Sequence, residues 1–493
     1  MSETMTHPPA PDQPDARPNL LLITSDQHRA DALGGAGHPC LDTPHLDALA
    51  LRGVRYDNAY VDCPVCIPAR TSLVTGRRGH ENGCCDYSDT YRVDRARGDF
   101  LGALLTAAGY QTELVGKTHW NTEPDFRGGF EHVTWLASLR RQQLVETGRP
   151  GMLAGVGYNE SSPTLSPFPA HLHTTDWIVD RACDFLETRD RRQPFALWAS
   201  FQDPHPPYLI HEPYYSMYRD APIPEPVCGD WVGTDAEPFD IWCFRHAINP
   251  RPMTPAQIRA MRAVYYGMVT NLDHQIGRLM AQLARAGDLD ETLIVYTSDH
   301  GEALGDHACL GKRTFLECSA RVPLIVRPPK SWGVQPGRVS RELVEWVDLL
   351  PTLCEAAGAR VPDDVTGRSL IGSIRGGATT GGHVMHGQIG RAHLLHDGRY
   401  KFLYSADDGT SLCFDTASDP HDLHPLGGAQ ANRLHGMLVD HLRETGHDHL
   451  RDGKLANFGR SRPPLNELRA QDHSGLGPTQ YLGDIRRGIL HVH

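Results

Sequence analysis

Two stretches of the chain end in the same way. Leu20-Leu21-Leu22-Ile23-Thr24-Ser25-Asp26-Gln27 and Leu293-Ile294-Val295-Tyr296-Thr297-Ser298-Asp299-His300 are each an apolar run closed by Ser-Asp and a neutral donor. In a parallel sheet the functional crevice lies beyond the carboxyl ends of the strands, so both pairs can converge on one point. Two carboxylates, an amide oxygen and an imidazole make a divalent-cation site. Asp and Gln offer hard oxygens suited to calcium or magnesium, and His300 widens the choice toward manganese or zinc. Either Ser-Asp alone could simply cap the turn that follows it. The repetition favours the shared site.

A second group begins at Cys63-Pro64-Val65-Cys66. Taken alone it is a CxxC pair, a redox dithiol or half of a zinc site for Cys84-Cys85 to complete, although vicinal cysteines are awkward tetrahedral partners. The more informative string is Cys66-Ile67-Pro68-Ala69-Arg70, running through an apolar helical turn into Thr75-Gly76. Arg70 is one helical turn beyond Cys66 and can reach back toward it, or it can pair with a carboxylate such as Asp62. Lys117 and His119 leave a strand end two residues apart, on one side if the backbone stays extended. His205 follows another strand end between two prolines, and Lys312 follows Gly311. With 28 histidines in the chain, an arbitrary one is a surface or supporting residue. His28, Asp31, His211 and His307 are read as structural, Glu302 as a neighbour of the cation ligands, and His45 as part of a packing helix.

These residues need elements to hold them. Strands are expected at Asn19 to Ser25, Gln111 to Val115, Phe195 to Phe201, Thr292 to Ser298 and Val322 to Arg327. Helices are expected at Pro44 to Arg52 with Thr43 as N-cap, Phe100 to Ala108, and Thr254 to Ala286 stopped by Gly287. Their alternation predicts an α/β fold: a large, mostly parallel sheet sandwiched by helices, spanning 19–375. Past Gly376, hairpin-like runs at His383 to Met385, Tyr400 to Tyr404 and Ser411 to Phe414 predict a small antiparallel C-terminal subdomain over 376–450. Residues 1–18, rich in proline, are read as a disordered leader, and the polar stretch 451–493 as a tail that wraps a surface or a neighbouring subunit.

The 493 residues carry 48 Lys plus Arg against 60 Asp plus Glu, a net charge of −12. An acidic chain without a basic cluster lacks the footprint that phosphate neutralisation needs, which excludes a nucleic-acid partner. The apolar runs fall far below the ~20 residues that span a bilayer, so no membrane segment is expected. The N-terminus lacks the apolar core of a secretory signal, and 12 cysteines are too sparse for a disulfide framework, giving a cytoplasmic expectation.

Cys66-x-Pro68-x-Arg70 followed by Thr75-Gly76 resembles the maturation signal of the type I sulfatases of the alkaline phosphatase superfamily. The resemblance covers most of the chain, with Asp26-Gln27, Thr43-Pro44-His45-Leu46-Asp47, Gly116-Lys117-Thr118-His119, Asp203-Pro204-His205, Ser298-Asp299-His300-Gly301-Glu302 and Gly311-Lys312 in the shared order. Arg399-Tyr400-Lys401-Phe402 and Asp419-Pro420 resemble the family's closing subdomain. The resemblance implies an alkaline phosphatase-like fold, a small sulfate-ester substrate and a maturation enzyme that oxidises Cys66 to formylglycine. It also implies one divalent cation, calcium first, with Mn2+, Mg2+ and Zn2+ as alternatives, held by Asp26, Gln27, Asp299, His300 and the modified Cys66.

The remaining roles follow from the same resemblance. Arg70 and Lys117 would bind the hydrate and sulfate oxygens, His119 would take the proton that lets sulfate leave, and His205 with Lys312 would hold the sulfate and protonate the leaving oxygen. The chemistry suits these residue types. A hindered sulfur needs a positioned nucleophile, and a gem-diol supplies one hydroxyl for attack and a second whose deprotonation expels sulfate.

Gln27 and His300 stand where many sulfatases carry Asp and Asn, and Ala69 where serine is common. These features resemble the phosphonate monoester hydrolases and phosphodiesterases of the same superfamily, which form the alternative. A non-catalytic, metal-binding pseudoenzyme and a CxxC redox protein are two further readings. Substrate-facing loops are expected at Asp125 to Tyr158, Pro206 to Asp220 and Val227 to Pro252, where Trp231, Trp242, Phe244 and Tyr214-Tyr215 could line a pocket or simply pack. A homo-oligomer is compatible with the tail.

Overall fold

Alternation along the central strands decides how the chain folds. Leu20 and Leu22 enter one core with Leu114, Trp198, Leu293 and Val295, while Leu21 and Ile23 enter another with Val115, Leu197, Ile294 and Tyr296. Successive side chains of a strand point to opposite faces, so runs that are apolar on both must be covered on both. The computed structural model describes residues 17–87, 94–119, 126–148, 159–248, 253–377 and 382–462.

The result is an eight-stranded sheet. Its order is Arg338–Glu345, Val54–Tyr60, Leu324–Arg327, Thr292–Ser298, Asn19–Asp26, Phe195–Pro204, Gln111–Gly116 and His132–Trp135. Every neighbouring pair is parallel except the two made by Leu324–Arg327. One face is covered by Cys66–Thr75, Leu101–Ala107 and Leu349–Ala357, the other by Pro44–Leu51, Thr174–Thr188 and the long helix Pro255–Ala286. The α/β fold expected from the sequence is the one observed.

The expected strands are present, with Leu324–Arg327 starting two residues late and Phe195–Pro204 running on into the Asp203-Pro204-His205 motif. Val54–Tyr60 and Arg338–Glu345 were not expected: charged residues interrupt both runs, which pair near one end of the sheet. Thr43 precedes its helix without capping it by side chain. Its hydroxyl instead accepts from the Gly34 amide and donates to Asp47 at 3.0 Å.

A separate four-stranded antiparallel sheet follows, in the order Met385–Ile389, Ala392–His396, Tyr400–Ser405 and Ser411–Asp415. Helix Ala429–Glu444 covers one face with Leu434, Leu438 and Leu442, and the other face packs Leu394, Leu403 and Phe414 against Phe315, Leu316 and Trp231. The buried Lys401 ammonium pins this sheet to the large unit by its bond to Glu317 at 2.6 Å, and also bonds Asp422 of the C-terminal region at 2.9 Å. The first hairpin strand lies at Met385–Ile389, displaced from His383 to Met385, and its partner Ala392–His396 was not anticipated.

Arg17 and Pro18, assigned above to the leader, are packed on the large unit: Arg17 donates to Ala108 at 2.6 Å and Tyr110 donates to the Pro18 carbonyl at 2.9 Å. Residues 1–16 and 463–493, with the rest of the expected leader and most of the tail, lie outside the described residues. No helix among the described residues is long and apolar enough to cross a membrane.

Candidate active site

Four adjacent parallel strands end at one place. Asp26 and Gln27 leave Asn19–Asp26, Asp299 and His300 leave Thr292–Ser298, His205 leaves Phe195–Pro204, and Lys117 leaves Gln111–Gly116. This is the crevice at the carboxyl ends of the sheet. Gly116 permits the exit of Lys117. Its φ is +109°, and a Cβ there would sit 2.1 Å from the Ser200 carbonyl, the group that accepts the Lys117 amide at 2.8 Å.

Cys66 enters from the side, as the first residue of the wholly buried helix Cys66–Thr75. Pro68 costs that helix no hydrogen bond, since amides of the first turn have no intrahelical partner. Gly76 ends it at φ +65°, where a Cβ would press on Val365 at 2.9 Å. The Cys-x-Pro-x-Arg and Thr-Gly spacing therefore delimits one buried helix that aims its start at the strand ends.

Cys66 Sγ lies 3.1 Å from His300 Nε2 and 3.8 Å from Asp26 Oδ1. His300 Nε2 is 3.6 Å from Asp26 Oδ1 and 3.5 Å from Asp299 Oδ1. One donor atom from each of Asp26, Cys66, Asp299 and His300 falls within 4.8 Å of the others, and all four residues are buried. Gln27 has φ 73°; its amide N–H donates to Asp299 at 3.2 Å, while its carboxamide accepts from Lys312 at 2.6 Å and donates to Glu302. In this arrangement the Gln27 amide oxygen is committed to Lys312.

Cations surround the cluster. Arg70 donates to Asp299 at 2.8 Å, to Ser200 Oγ at 2.7 Å and to the Lys117 carbonyl at 3.0 Å. Its Nη2 is buried, makes no hydrogen bond among the described residues and stands 3.6 Å from Asp26 Oδ2. Asp62 is not its partner: that carboxylate accepts from Ser72 at 2.9 Å and the Gly79 amide at 2.7 Å. Lys117 is ion-paired to Asp26. Lys312 donates to His205 Nε2 at 2.8 Å.

The charges sort the carboxylates. Burial alone would raise Asp26, but Lys117, His205, His300 and Lys312 hold it well below the usual range. Asp299 is raised, by burial first and then by Asp26. Burial and Asp26 oppose ionisation of Cys66, yet Lys312, Lys117 and His300 bring its thiol below the ordinary value. Burial and nearby lysines keep His119 and His205 neutral. Two close carboxylates, a sulfur and an imidazole, repelling where both carboxylates ionise, suit a divalent cation.

The pair Lys117 and His119 does not follow an extended backbone, because His119 has φ 53°. Its Nδ1 is buried without a partner among the described residues, and Tyr87 stands edge-on at 6.1 Å. Ser200 and Tyr265 escaped the sequence reading. Ser200 seats Arg70, and Tyr265 donates to the Gln27 carbonyl at 2.8 Å from the middle of a long helix. Ser200 sits on an expected strand, but no local motif marks either residue.

Other candidates are structural. His28 bonds the Ala32 carbonyl at 2.7 Å, Asp31 pairs with Arg29, His211 faces Asp176 at 3.5 Å, and His45 packs on Gly277. Trp231 stacks on His307 at 5.3 Å, Phe244 is buried with it, and Tyr214 bonds His274 at 2.9 Å. These aromatics pack the fold; Trp242, also buried, tilts over His246 at 4.6 Å. Within the expected specificity loops, residues 125, 149–158 and 249–252 lie outside the described residues. Cys63 and Cys66 form no disulfide with each other.

Comparison with known proteins gives the family. The sulfatase family model matches residues 18–359, and a model of the N-sulphoglucosamine sulphohydrolase C-terminal region matches 305–447. An arylsulfatase of Clostridium perfringens is 32% identical over 87% of this chain and 93% of its own length. A multifunctional alkaline phosphatase superfamily protein of Trinickia caryophylli is 29% identical over 84% of this chain and 92% of its own. The crystal structure of a phosphonate monoester hydrolase from Agrobacterium radiobacter superposes with a TM-score of 0.71 at 26% identity, covering 91% of this chain and 100% of that one. The chain belongs to the sulfatase family of the alkaline phosphatase superfamily and is a sulfuric ester hydrolase.

Proposed function

We propose that the chain cleaves a small sulfate ester at Cys66 matured to formylglycine, beside one divalent cation, releasing inorganic sulfate and an alcohol. The observation that supports this most is the meeting of Cys66 with Asp26, Asp299 and His300, all buried, within 4.8 Å. Asp26, Asp299, His300 and residue 66 would hold the cation, with Gln27 joining if its amide oxygen exchanges Lys312 for the metal. The cation, calcium first and Mn2+, Mg2+ or Zn2+ as competitors, would polarise the ester oxygens and favour the deprotonated nucleophile. The formylglycine hydrate would supply one hydroxyl for attack and a second for expulsion of sulfate.

The chain's own residues do the rest. Lys117 and the Nη2 of Arg70, which makes no hydrogen bond among the described residues, offer positive charge to the anionic oxygens around residue 66. His119, kept neutral by burial and Lys117, is the base for the hydroxyl proton. His205 and Lys312, bonded to each other, hold the proton that the leaving oxygen takes. A formylglycine-generating enzyme is the partner this scheme requires.

The second reading is hydrolysis of a phosphonate monoester or phosphodiester by the same nucleophile. Gln27 and His300 favour it, as does the likeness to a phosphonate monoester hydrolase. Initial rates on a matched panel of sulfate monoesters, phosphonate monoesters and phosphodiesters separate the two. The sulfate reading expects the largest kcat/KM on a sulfate monoester; a phosphorus ester turned over faster would replace it.

A further inference from the structure

Six histidines gather where the small sheet meets the large unit, away from the strand ends that carry Asp26 and Asp299. His80 lies on the short helix Gly79–Asn82 just after the signature helix, His386 on Met385–Ile389, His393 on Ala392–His396 and His441 on Ala429–Glu444; His447 and His449 follow that helix. The rings of His80 and His386 are 4.6 Å apart and those of His386 and His441 4.2 Å. One ring nitrogen from each of these three falls within 4.8 Å of the others.

Four buried nitrogens in this triad lack a hydrogen-bond partner among the described residues: both of His80, Nδ1 of His386 and Nε2 of His441. Among the described residues the carboxylate oxygen nearest to His80 belongs to Glu81, at 3.7 Å, beyond hydrogen-bonding reach. Buried polar atoms are rarely left so, and three unsatisfied imidazoles facing one another want an acceptor of lone pairs. The three rings behind are already satisfied. His393 Nε2 meets His449 Nδ1 at 2.8 Å, and His447 bonds Gln388 at 3.0 Å and the His449 amide at 3.1 Å.

Those bonds also aim the triad. His386 Nε2 lies 3.2 Å from His393 Nδ1. With the proton on Nε2 of His386 and of His393, each ring donates to the next, and Nδ1 of His386 is left as a lone pair facing His80 and His441. An imidazole ligand whose other nitrogen donates to a neighbour is the usual support of a metal-bound histidine. Arg78, the nearby guanidinium, is spent on Glu345 at 2.7 and 2.8 Å.

We propose that His80, His386 and His441 bind a divalent transition cation of the zinc type, as a second metal site that ties the C-terminal subdomain to the segment following the signature helix. Three neutral nitrogens without a carboxylate suit zinc and disfavour calcium or magnesium. The half-buried His441 leaves a fourth position for water. The same seam carries a backbone bond from Gln388 to Asp62 and the Asp62 bonds to Ser72 and Gly79, so a cation there would brace the helix bearing Cys66.

The test is Zn2+ binding by full-length protein stripped of metal, with Co2+ absorption as a second probe of nitrogen ligation. Asp26→Ala/Asp299→Ala protein, its ester site disabled, should still bind one equivalent. Adding His441→Ala should abolish that binding, and His393→Ala should weaken it about 10–100-fold. If the double variant fails to fold, the parent should bind one equivalent more than His80→Ala or His441→Ala protein. Equal stoichiometry in parent and histidine variants, or no Zn2+ bound once the ester site is disabled, overturns the proposal.

Discussion

Lys312 donates a hydrogen bond to His205 Nε2 across 2.8 Å, and the same ammonium reaches the Gln27 amide oxygen at 2.6 Å. The contact joins a residue from a loop to one from a strand end. It makes His205 an acceptor, consistent with an imidazole that burial and Lys312 hold well below its ordinary value. On the proposed mechanism, the Lys312 N–H is the donor on which the leaving oxygen draws.

That arrangement predicts a leaving-group signature. Lys312→Ala and His205→Ala should lower kcat/KM by about 10²–10⁴-fold for alkyl esters, whose leaving oxygens need a proton. Aryl esters with acidic phenols should lose far less. A plot of rate against leaving-group pKa should steepen in both variants, and an unchanged slope would remove the pair from proton delivery.

Cys66, and not Cys63, should carry the modification. Only Cys66 begins the buried helix at the strand ends; Cys63 donates to the Cys85 carbonyl at 3.5 Å, and burial pushes its thiol up. Mass spectrometry of the tryptic peptide spanning 56–70 from active enzyme should show formylglycine at position 66. Fully active protein with an intact thiol there is incompatible with the mechanism.

Asp26→Ala or Asp299→Ala should abolish cation binding at the ester site and reduce turnover to background while the chain stays folded. Each change also takes a buried ion-pair partner away, from Lys117 for Asp26 and from Arg70 for Asp299, so a loss of about 3–5 kcal/mol is expected with the fold retained. Metal analysis alongside circular dichroism checks both halves. Cation content at the ester site equal to the parent's in either variant would remove that carboxylate from the ligand set.

The strand-end pairs were legible in the sequence because an apolar run closed by Ser-Asp is a local pattern. Cys66, Pro68, Arg70 and Gly76 were legible for the same reason: one helix holds them all. Ser200 and Tyr265 were not, since each meets its partner only through pairing or packing across long sequence separations. The left-handed backbone at His119 was also hidden, because nothing in Lys117-Thr118-His119 marks a non-glycine φ of 53°. Ala392–His396 was obscured by the histidines at 393 and 396, which read as polar yet are buried in the sheet.

Lys401 tests the seam between the two sheets. Burial and Glu317 lift Asp422 to about 6, whereas burial of Glu317 is outweighed by Lys401 and Arg321, which bring it to about 2. Lys401→Met leaves both carboxylates without their buried ammonium and should cost about 3–5 kcal/mol near pH 7.5. Both acids are ionised there, so the loss is largest. As pH falls from about 6 toward 2 they take up protons, and neutral carboxyls need no ammonium. The gap between parent and variant in urea unfolding should therefore narrow on acidification; a gap that stays constant would mean Lys401 acts by packing alone.

The last prediction separates ester cleavage from release of sulfate. If His119 is the base for the second hydroxyl, His119→Ala should still cleave the ester once, through Lys117, Arg70, His205 and Lys312, and then stall. Its trace should be a rapid burst of alcohol close to one equivalent per matured site, followed by a steady state slower by about 10²–10⁴-fold. Cys66→Ser applies the same logic from the nucleophile's side, since one hydroxyl can be esterified but has no second to drive expulsion. Lys312→Ala should give the opposite trace, a slow first step without a burst. Repeated turnover at the parental rate by His119→Ala, or an intact first step without a burst, would free His119 of the role and leave its buried Nδ1, without a partner among the described residues, a matter of packing.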